Sequence, residues 1–181
     1  MRSHCLNTLR QLALAAAAIL VTGSALAHSS SNSYLTLSAP AQQLMLRADI
    51  NLRDLDLIFD LDENRDGRVT WGETQARSSE LDAWLRQGIA LSESGNACTL
   101  GPLDLQASVH ADGTYLSAEW PANCPGLAEA SQARIKLGYS LIFAQDNLHR
   151  AIVKVDLPDF QSSAILSPDR PEVQIAKANS S

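Results

Sequence analysis

Residues 62–73 read Asp-Glu-Asn-Arg-Asp-Gly-Arg-Val-Thr-Trp-Gly-Glu. Oxygen-bearing side chains recur at Asp62, Asn64 and Asp66, on alternate residues, as a chain curling round a hard cation requires. Gly67 follows where the sharp turn needs positive φ, which costs glycine almost nothing. Arg68 offers its backbone carbonyl and turns its charged side chain outward. Val69 is the apolar position that packs inward. Thr70 can hold a bridging water, and Glu73 closes the loop with both carboxylate oxygens. This is the order of an EF-hand calcium loop, with Asp62, Asn64, Asp66, Arg68, Thr70 and Glu73 as its expected ligand positions. Hard oxygen donors favour Ca2+ over transition metals. One position departs from the pattern: Thr74 stands where an apolar residue usually begins the second helix.

Helical spacing flanks the loop. Leu55, Ile58, Phe59 and Leu61 precede it. After it, Trp71, Leu81, Trp84 and Leu85 mark one apolar side of a second helix, which Gly88 ends. A lone loop in an exported chain should bind weakly, with Kd about 10⁻⁴ to 10⁻³ M, as in extracellular modules. That favours a structural or constitutive calcium over a sensing switch.

Outside this segment the pattern is that of β-strands. Tyr34–Leu37 and Leu44–Leu52 alternate apolar and polar residues around a break at Ala39-Pro40-Ala41 and predict a hairpin. Leu103–Val109 alternates strictly, Asp112-Gly113 gives a turn, and Thr114–Trp120 returns. Further strands are expected over 135–143, 151–157 and 163–166, with Asp146-Asn147 at a turn and the tail from Pro168 as an edge strand. The expected fold is α+β: an EF-hand helix-loop-helix combined with a small antiparallel β-sandwich.

The N-terminus carries a different signal. Arg2 and Arg10 precede the apolar run Leu12–Val21, and Ala25-Leu26-Ala27 has the small-x-small form of a cleavage site. Residues 1–27 therefore read as a secretory signal peptide. Residues 28–90 would hold the first β segment and the EF-hand, and 91–181 the sandwich. No later apolar stretch is long enough to cross a bilayer as a helix, so the mature chain is expected not to span the membrane. The expected compartment is periplasmic or secreted.

The chain has 14 Lys and Arg against 20 Asp and Glu. Losing Arg2 and Arg10 leaves 12 basic residues and a net charge of −8. Such a balance repels phosphate backbones, so no nucleic-acid partner is expected. Cys5 leaves with the signal peptide. Cys98 and Cys124 remain, an even pair that in an exported chain is most simply a disulfide, worth roughly 3–4 kcal/mol on the chain-entropy model.

Several segments together resemble a known family. They are His28-Ser29-Ser30-Ser31-Asn32-Ser33-Tyr34-Leu35-Thr36-Leu37, Leu52-Arg53-Asp54-Leu55-Asp56, Thr70-Trp71-Gly72-Glu73 and, after the two-cysteine β segment, His149-Arg150-Ala151. The order is similar to the exported N-terminal region of some hydrogenase/urease accessory (HupE/UreJ-like) membrane proteins. In that family a multi-helix membrane domain follows and carries the presumed metal-transport role. None of its positions lies within these 181 residues. The resemblance therefore implies an accessory periplasmic domain, with a membrane protein as candidate partner.

The chain holds no HExxH, P-loop, GxGxxG or nucleophile elbow, and no enzymatic activity is expected. Asp54 and Asp56 read as solvated helix residues, and Trp71, Trp84 and Trp120 as core. The alternative function is a periplasmic copper- or nickel-handling protein. Cleavage after Ala27 would make His28 the terminal residue, whose amine and imidazole chelate such ions, with His110 or His149 as a further ligand.

Overall fold

The structure is a computed structural model that describes residues 31–125, 134–158 and 160–176. The signal-peptide reading and His28 lie outside the described residues.

Alternating apolar residues pair early in the chain. β1 (Asn32–Ser38) and β2 (Met45–Asn51) form the expected antiparallel hairpin, with Leu35 opposite Ala48 and Leu37 opposite Leu46. The break between them is a short 3₁₀ turn over Pro40–Gln42. β2 runs into α1 (Leu52–Phe59), where the Asn51 side chain accepts from the Arg53 backbone N–H and caps the helix. α2 (Trp71–Ala76) and α3 (Ser78–Gly88) follow the loop. The remaining strands are β3 (Ile89–Glu93), β4 (Asn96–Ala97), β5 (Thr99–Leu100), β6 (Asp104–His110), β7 (Gly113–Asn123), β8 (Arg134–Tyr139), β9 (Arg150–Leu157), β10 (Phe160–Leu166) and β11 (Glu172–Ala176).

These strands make two sheets. One has seven strands in the order β10-β9-β1-β2-β7-β5, with β6 also paired to β7; the other has four, in the order β11-β8-β3-β4. The β6–β7 hairpin forms as expected, with His110 opposite Gly113. β11 is an edge strand, as the tail suggested.

The fold class expected from sequence is corrected on two points. First, the chain is mainly β, and the large sheet is mixed: β1 pairs with β9 in parallel, Leu35 opposite Val153. β1 and β2 thus share a sheet with strands from beyond residue 91. Alternation specifies which face is buried and leaves the direction of the partner open. Leu35, Leu37, Val153 and Val155 are all buried on one face, and the parallel register stacks them there.

Second, a regular helix-loop-helix is not formed. α1 is eight residues long and ends at Asp60, which sits in the left-handed region at φ 51°. The helix after the loop stops at Ala76 after six residues. Arg77 leaves helical geometry, its N–H turned onto Thr74 and Gln75 carbonyls, and α3 starts afresh at Ser78. The apolar spacing that suggested one continuous helix is shared between two short ones. Neither is long enough to be stable without tertiary packing.

One core joins both sheets and the helices. Leu46, Ile50, Leu116 and Trp120 from the large sheet, Leu137 and Tyr139 from the small one, Leu55 from α1 and Leu81 and Leu85 from α3 are all essentially without solvent contact. Each such aliphatic side chain contributes about 1.5–3 kcal/mol. Cys98 and Cys124 form a disulfide, Cα atoms 4.3 Å apart, beside the β5–β7 pairing of Thr99 with Asn123. Among the described residues no helix is long and apolar enough to cross a membrane.

Candidate metal centre

The loop begins where α1 ends. Asp56, in the last turns of α1, accepts the Asp62 backbone N–H on Oδ1 at 2.9 Å and ties the first loop residue to the helix. The side chain of Asp62 then organises the turn. Its Oδ1 accepts the Asp66 N–H at 3.1 Å and its Oδ2 the Gly67 N–H at 2.8 Å. Asn64 Oδ1 also accepts the Asp66 N–H, at 2.8 Å, and Asp66 Oδ1 accepts the Arg68 N–H at 2.9 Å. These side chain-to-backbone bonds are the turn-forming kind that Asp and Asn supply readily. Gly67 takes φ 82°, the positive value that the sequence pattern reserved for glycine.

The far side of the loop is the N-terminus of α2. Thr70 is its N-cap: the hydroxyl accepts the Glu73 N–H at 3.3 Å, while Glu73 Oε2 accepts the Thr70 N–H at 2.8 Å. The Thr70 hydroxyl also donates to Glu73 Oε2 at 2.7 Å. This reciprocal capping box fixes the rotamer of Glu73. Hydrogen bonds from the Thr70 backbone and hydroxyl, and then from the backbone of Asn64 and Glu63, hold the Glu73 carboxyl below its usual range. Glu73 therefore bends back over the start of the loop.

Two further expectations meet the structure directly. Val69 is partly buried and packs on the core. Thr74, the departure from the pattern, is fully buried, and its hydroxyl donates to the Thr70 carbonyl at 3.0 Å. The hydroxyl is satisfied within the helix, so the position tolerates threonine in place of an apolar residue.

The side chains of Asn64, Asp66, Arg68 and Thr70 are exposed, and those of Asp62 and Glu73 half-buried. Among the described residues, no three His, Cys, Asp or Glu side chains are gathered with their ligand atoms around one point. In this loop the carboxylates of Asp62, Asp66 and Glu73 are turned onto backbone N–H groups. The donor set is oxygen throughout, so the residues present fit a hard cation in chemistry.

A cleft separates this loop from the tip of the β6–β7 hairpin. Asp56, Asp62, Gly67, Arg68 and Val69 line one side, and Asp112, Gly113 and Thr114 the other.

The histidines assigned to the transition-metal alternative have other partners. His110 stacks on Tyr34 (4.9 Å between centroids) and lies tilted against Tyr115 (4.2 Å), with Nε2 3.6 Å from buried Asp49. His149 is fully buried in a network of hydroxyls. Asp54, read as solvated, is also buried and belongs to that network. Its place one turn before Ile58, on the apolar stripe of α1, is the signal that marks it as inward-facing.

Neither the models of known protein families nor the curated proteins compared with this chain give a match.

Proposed function

We propose that this is an exported calcium-binding protein in which residues 62–73 hold one Ca2+, and that it serves as an accessory or interaction module rather than an enzyme. The reading is carried by one coincidence. The residues whose order suits calcium ligation also bend the backbone into a closed loop, with Gly67 at positive φ and Glu73 folded back over Glu63 and Asn64. Calcium would draw the carboxylates of Asp62, Asp66 and Glu73 off the amides and onto the ion. Asn64 and the carbonyl of Arg68 would complete the oxygen set, with Thr70 able to hold a water.

Export follows from the pattern of residues 1–27, and the Cys98–Cys124 disulfide suits an oxidising compartment. The resemblance to HupE/UreJ-like accessory regions supports a membrane protein as the partner.

Calorimetric titration of the purified protein with calcium, with Glu73→Gln beside it and magnesium as competitor, tests the reading. One site in the micromolar-to-millimolar range that disappears in Glu73→Gln supports it. No heat, together with an unchanged Tm at several millimolar calcium, sinks it.

A further inference from the structure

Five polar side chains from distant parts of the chain meet in the interior. They are Ser31 just before β1, Ser33 at its start, Asp54 on α1, Tyr139 at the end of β8, and His149 just before β9. The Ser31 hydroxyl donates to the Asp54 carboxylate. Its single proton is thereby committed, so the contact of 2.6 Å between Ser31 Oγ and His149 Nδ1 needs the proton on Nδ1. His149 Nε2 is then a bare acceptor. Tyr139 OH lies 3.0 Å from it and Ser33 Oγ 3.1 Å, and these two hydroxyls are 2.7 Å apart. The neutral ring, with its proton on Nδ1, thus satisfies the network. A second proton on Nε2 turns that acceptor into a donor facing both hydroxyls and places a charge on a fully buried ring.

The elements holding this network differ in strength. β1 is hydrogen-bonded on both sides, to β2 and β9, and β8 to β3 and β11. Among the described residues, 140–149 have no strand partner. Leu141 and Ile142 anchor the start of the segment in the core. Beyond them its backbone bonds are local: Gln145 and Asp146 N–H to the Ile142 carbonyl, and His149 N–H to the Asp146 carbonyl. Phe143 packs edge-on against Tyr139 and His149, with centroids 5.2 and 5.9 Å away, and Leu148 is already exposed. A segment held by few long-range bonds over a buried ionisable group is where local opening is cheapest.

We propose that residues 143–149 are a flap that closes over the Ser31–Asp54–His149 network at neutral pH and lifts when His149 takes a proton, carrying Phe143 off Tyr139 and uncovering it. The charged groups around the network are Asp54 on α1, with Arg53 acting on it, Asp146 within the flap and Arg150 at the start of β9. Burial opposes the imidazolium most and pulls its pKa down to about 4; Asp146 favours the cation and Arg150 opposes it. Lifting the flap returns the ring to water and to its ordinary affinity for protons. The inference does not depend on calcium.

Hydrogen exchange read by mass spectrometry, at pH 7 and pH 5 with calcium present throughout and rates corrected for intrinsic chemistry, tests it. With proton affinities of about 4 closed and about 6.5 open, the open population should rise roughly twenty-fold between the two pH values. Amides 143–149 should lose that much protection while β1, β2 and β7 keep theirs. His149→Gln, which cannot be protonated, should hold the flap equally at both. Equal protection of the flap at pH 7 and pH 5 in the parent, or acid opening retained in His149→Gln, overturns the proposal. Should that variant fail to fold, long-range ¹H–¹⁵N spectra of the parent decide. A ring that is Nδ1–H at pH 7 and gains its proton only as the flap amides lose protection supports it. A ring titrating near 6.5 under a closed flap overturns it.

Discussion

The side chains of Ser31 and His149, 118 positions apart in sequence, meet at 2.6 Å inside the protein. That contact joins the beginning of the described chain to the turn before β9, and it makes stability depend on pH. Unfolded, His149 has the ordinary pKa of 6.5; folded, burial lowers it to about 4. The unfolded chain therefore binds more protons in this window. The contribution of the group is fully present above about pH 6.5 and is lost as pH falls toward 4, by at most roughly 3 kcal/mol. Asp54 works in the opposite sense. Burial raises its pKa first, with Asp146 adding to the rise, so the folded state gains on acidification through this group. Urea midpoints at pH 7 and pH 5 should show a net loss at the lower pH. His149→Gln should flatten that dependence, and a slope unchanged by the variant would count against His149 as its source.

Thr70 anchors the shortest helix at the candidate calcium site. Its hydroxyl caps α2 and positions the Glu73 carboxylate. Thr70→Ala should cost about 1 kcal/mol in a urea titration without calcium, the usual worth of an N-cap. It should also weaken calcium binding, because Glu73 loses the partners that fix its rotamer. Thr70→Ser keeps the hydroxyl and should restore both. A calcium affinity untouched by Thr70→Ala would separate the cap from the metal site.

Gly67 probes backbone shape alone. Nothing lies within 4 Å of a Cβ built on it, yet its φ is +82°. Gly67→Ala should therefore cost roughly 1–2 kcal/mol through left-handed strain, with no steric clash. Since calcium ligation needs this same turn, the affinity should drop with it, by several-fold in calorimetry. A Gly67→Ala protein that unfolds at the parent's urea concentration would mean that the loop relaxes away from the turn described.

Some of these features were legible in the sequence and some were not, for physical reasons. The β1–β2 and β6–β7 hairpins were legible, because alternation and turn residues are local and a two- to six-residue connection leaves little choice of partner. The positive φ of Gly67 was equally local. The parallel pairing of β1 with β9 was not, since alternation marks a buried face without naming the strand beside it. The end of β8 at Tyr139 was missed, with a strand expected to Phe143, because Leu141, Ile142 and Phe143 are as apolar in a core-anchored turn as in a strand. Asp54 was read as a solvated helix residue and His149 as a ligand in the transition-metal alternative; both are buried. Their burial is made tolerable only by Ser31, Ser33 and Tyr139, partners that no local window contains.

Gly88 is a second glycine with a definite task. It ends α3 where the helix presses on the start of the 140–149 segment. A Cβ there would lie 2.1 Å from Leu141 Cδ2 and 3.2 Å from Leu141 Cα. The side chain of Leu141 is buried and its backbone follows Ser140, whose N–H bonds the Gly88 carbonyl at 2.8 Å, so neither has room to retreat. Gly88→Ala should destabilise by about 1–3 kcal/mol, as overpacking does. If Leu141 shifts instead, the disturbance should appear first in exchange of the amides that follow it.

The disulfide fixes the opposite side of the large sheet. Cys98 and Cys124 close a separation of 26 residues, and the loop they span includes β6, all of β7 and thus the whole hairpin facing the cleft beside the 62–73 loop. β5, immediately after Cys98, is only two residues long and bonds β7 through Thr99 and Leu100. Those bonds are too few to hold the strand unaided, whereas β7 is secured along its length by β2. Replacing both cysteines by serine should lower stability by roughly 3 kcal/mol. The loss should be local in character: β4 and β5 should fray in hydrogen exchange while β2 and β7 stay protected. A reduced protein whose β5 amides remain as protected as those of β7 would show that packing of Leu100 and the Arg86 bonds to the Leu100 and Gly101 carbonyls, at 3.0 and 2.8 Å, hold the strand without the cross-link.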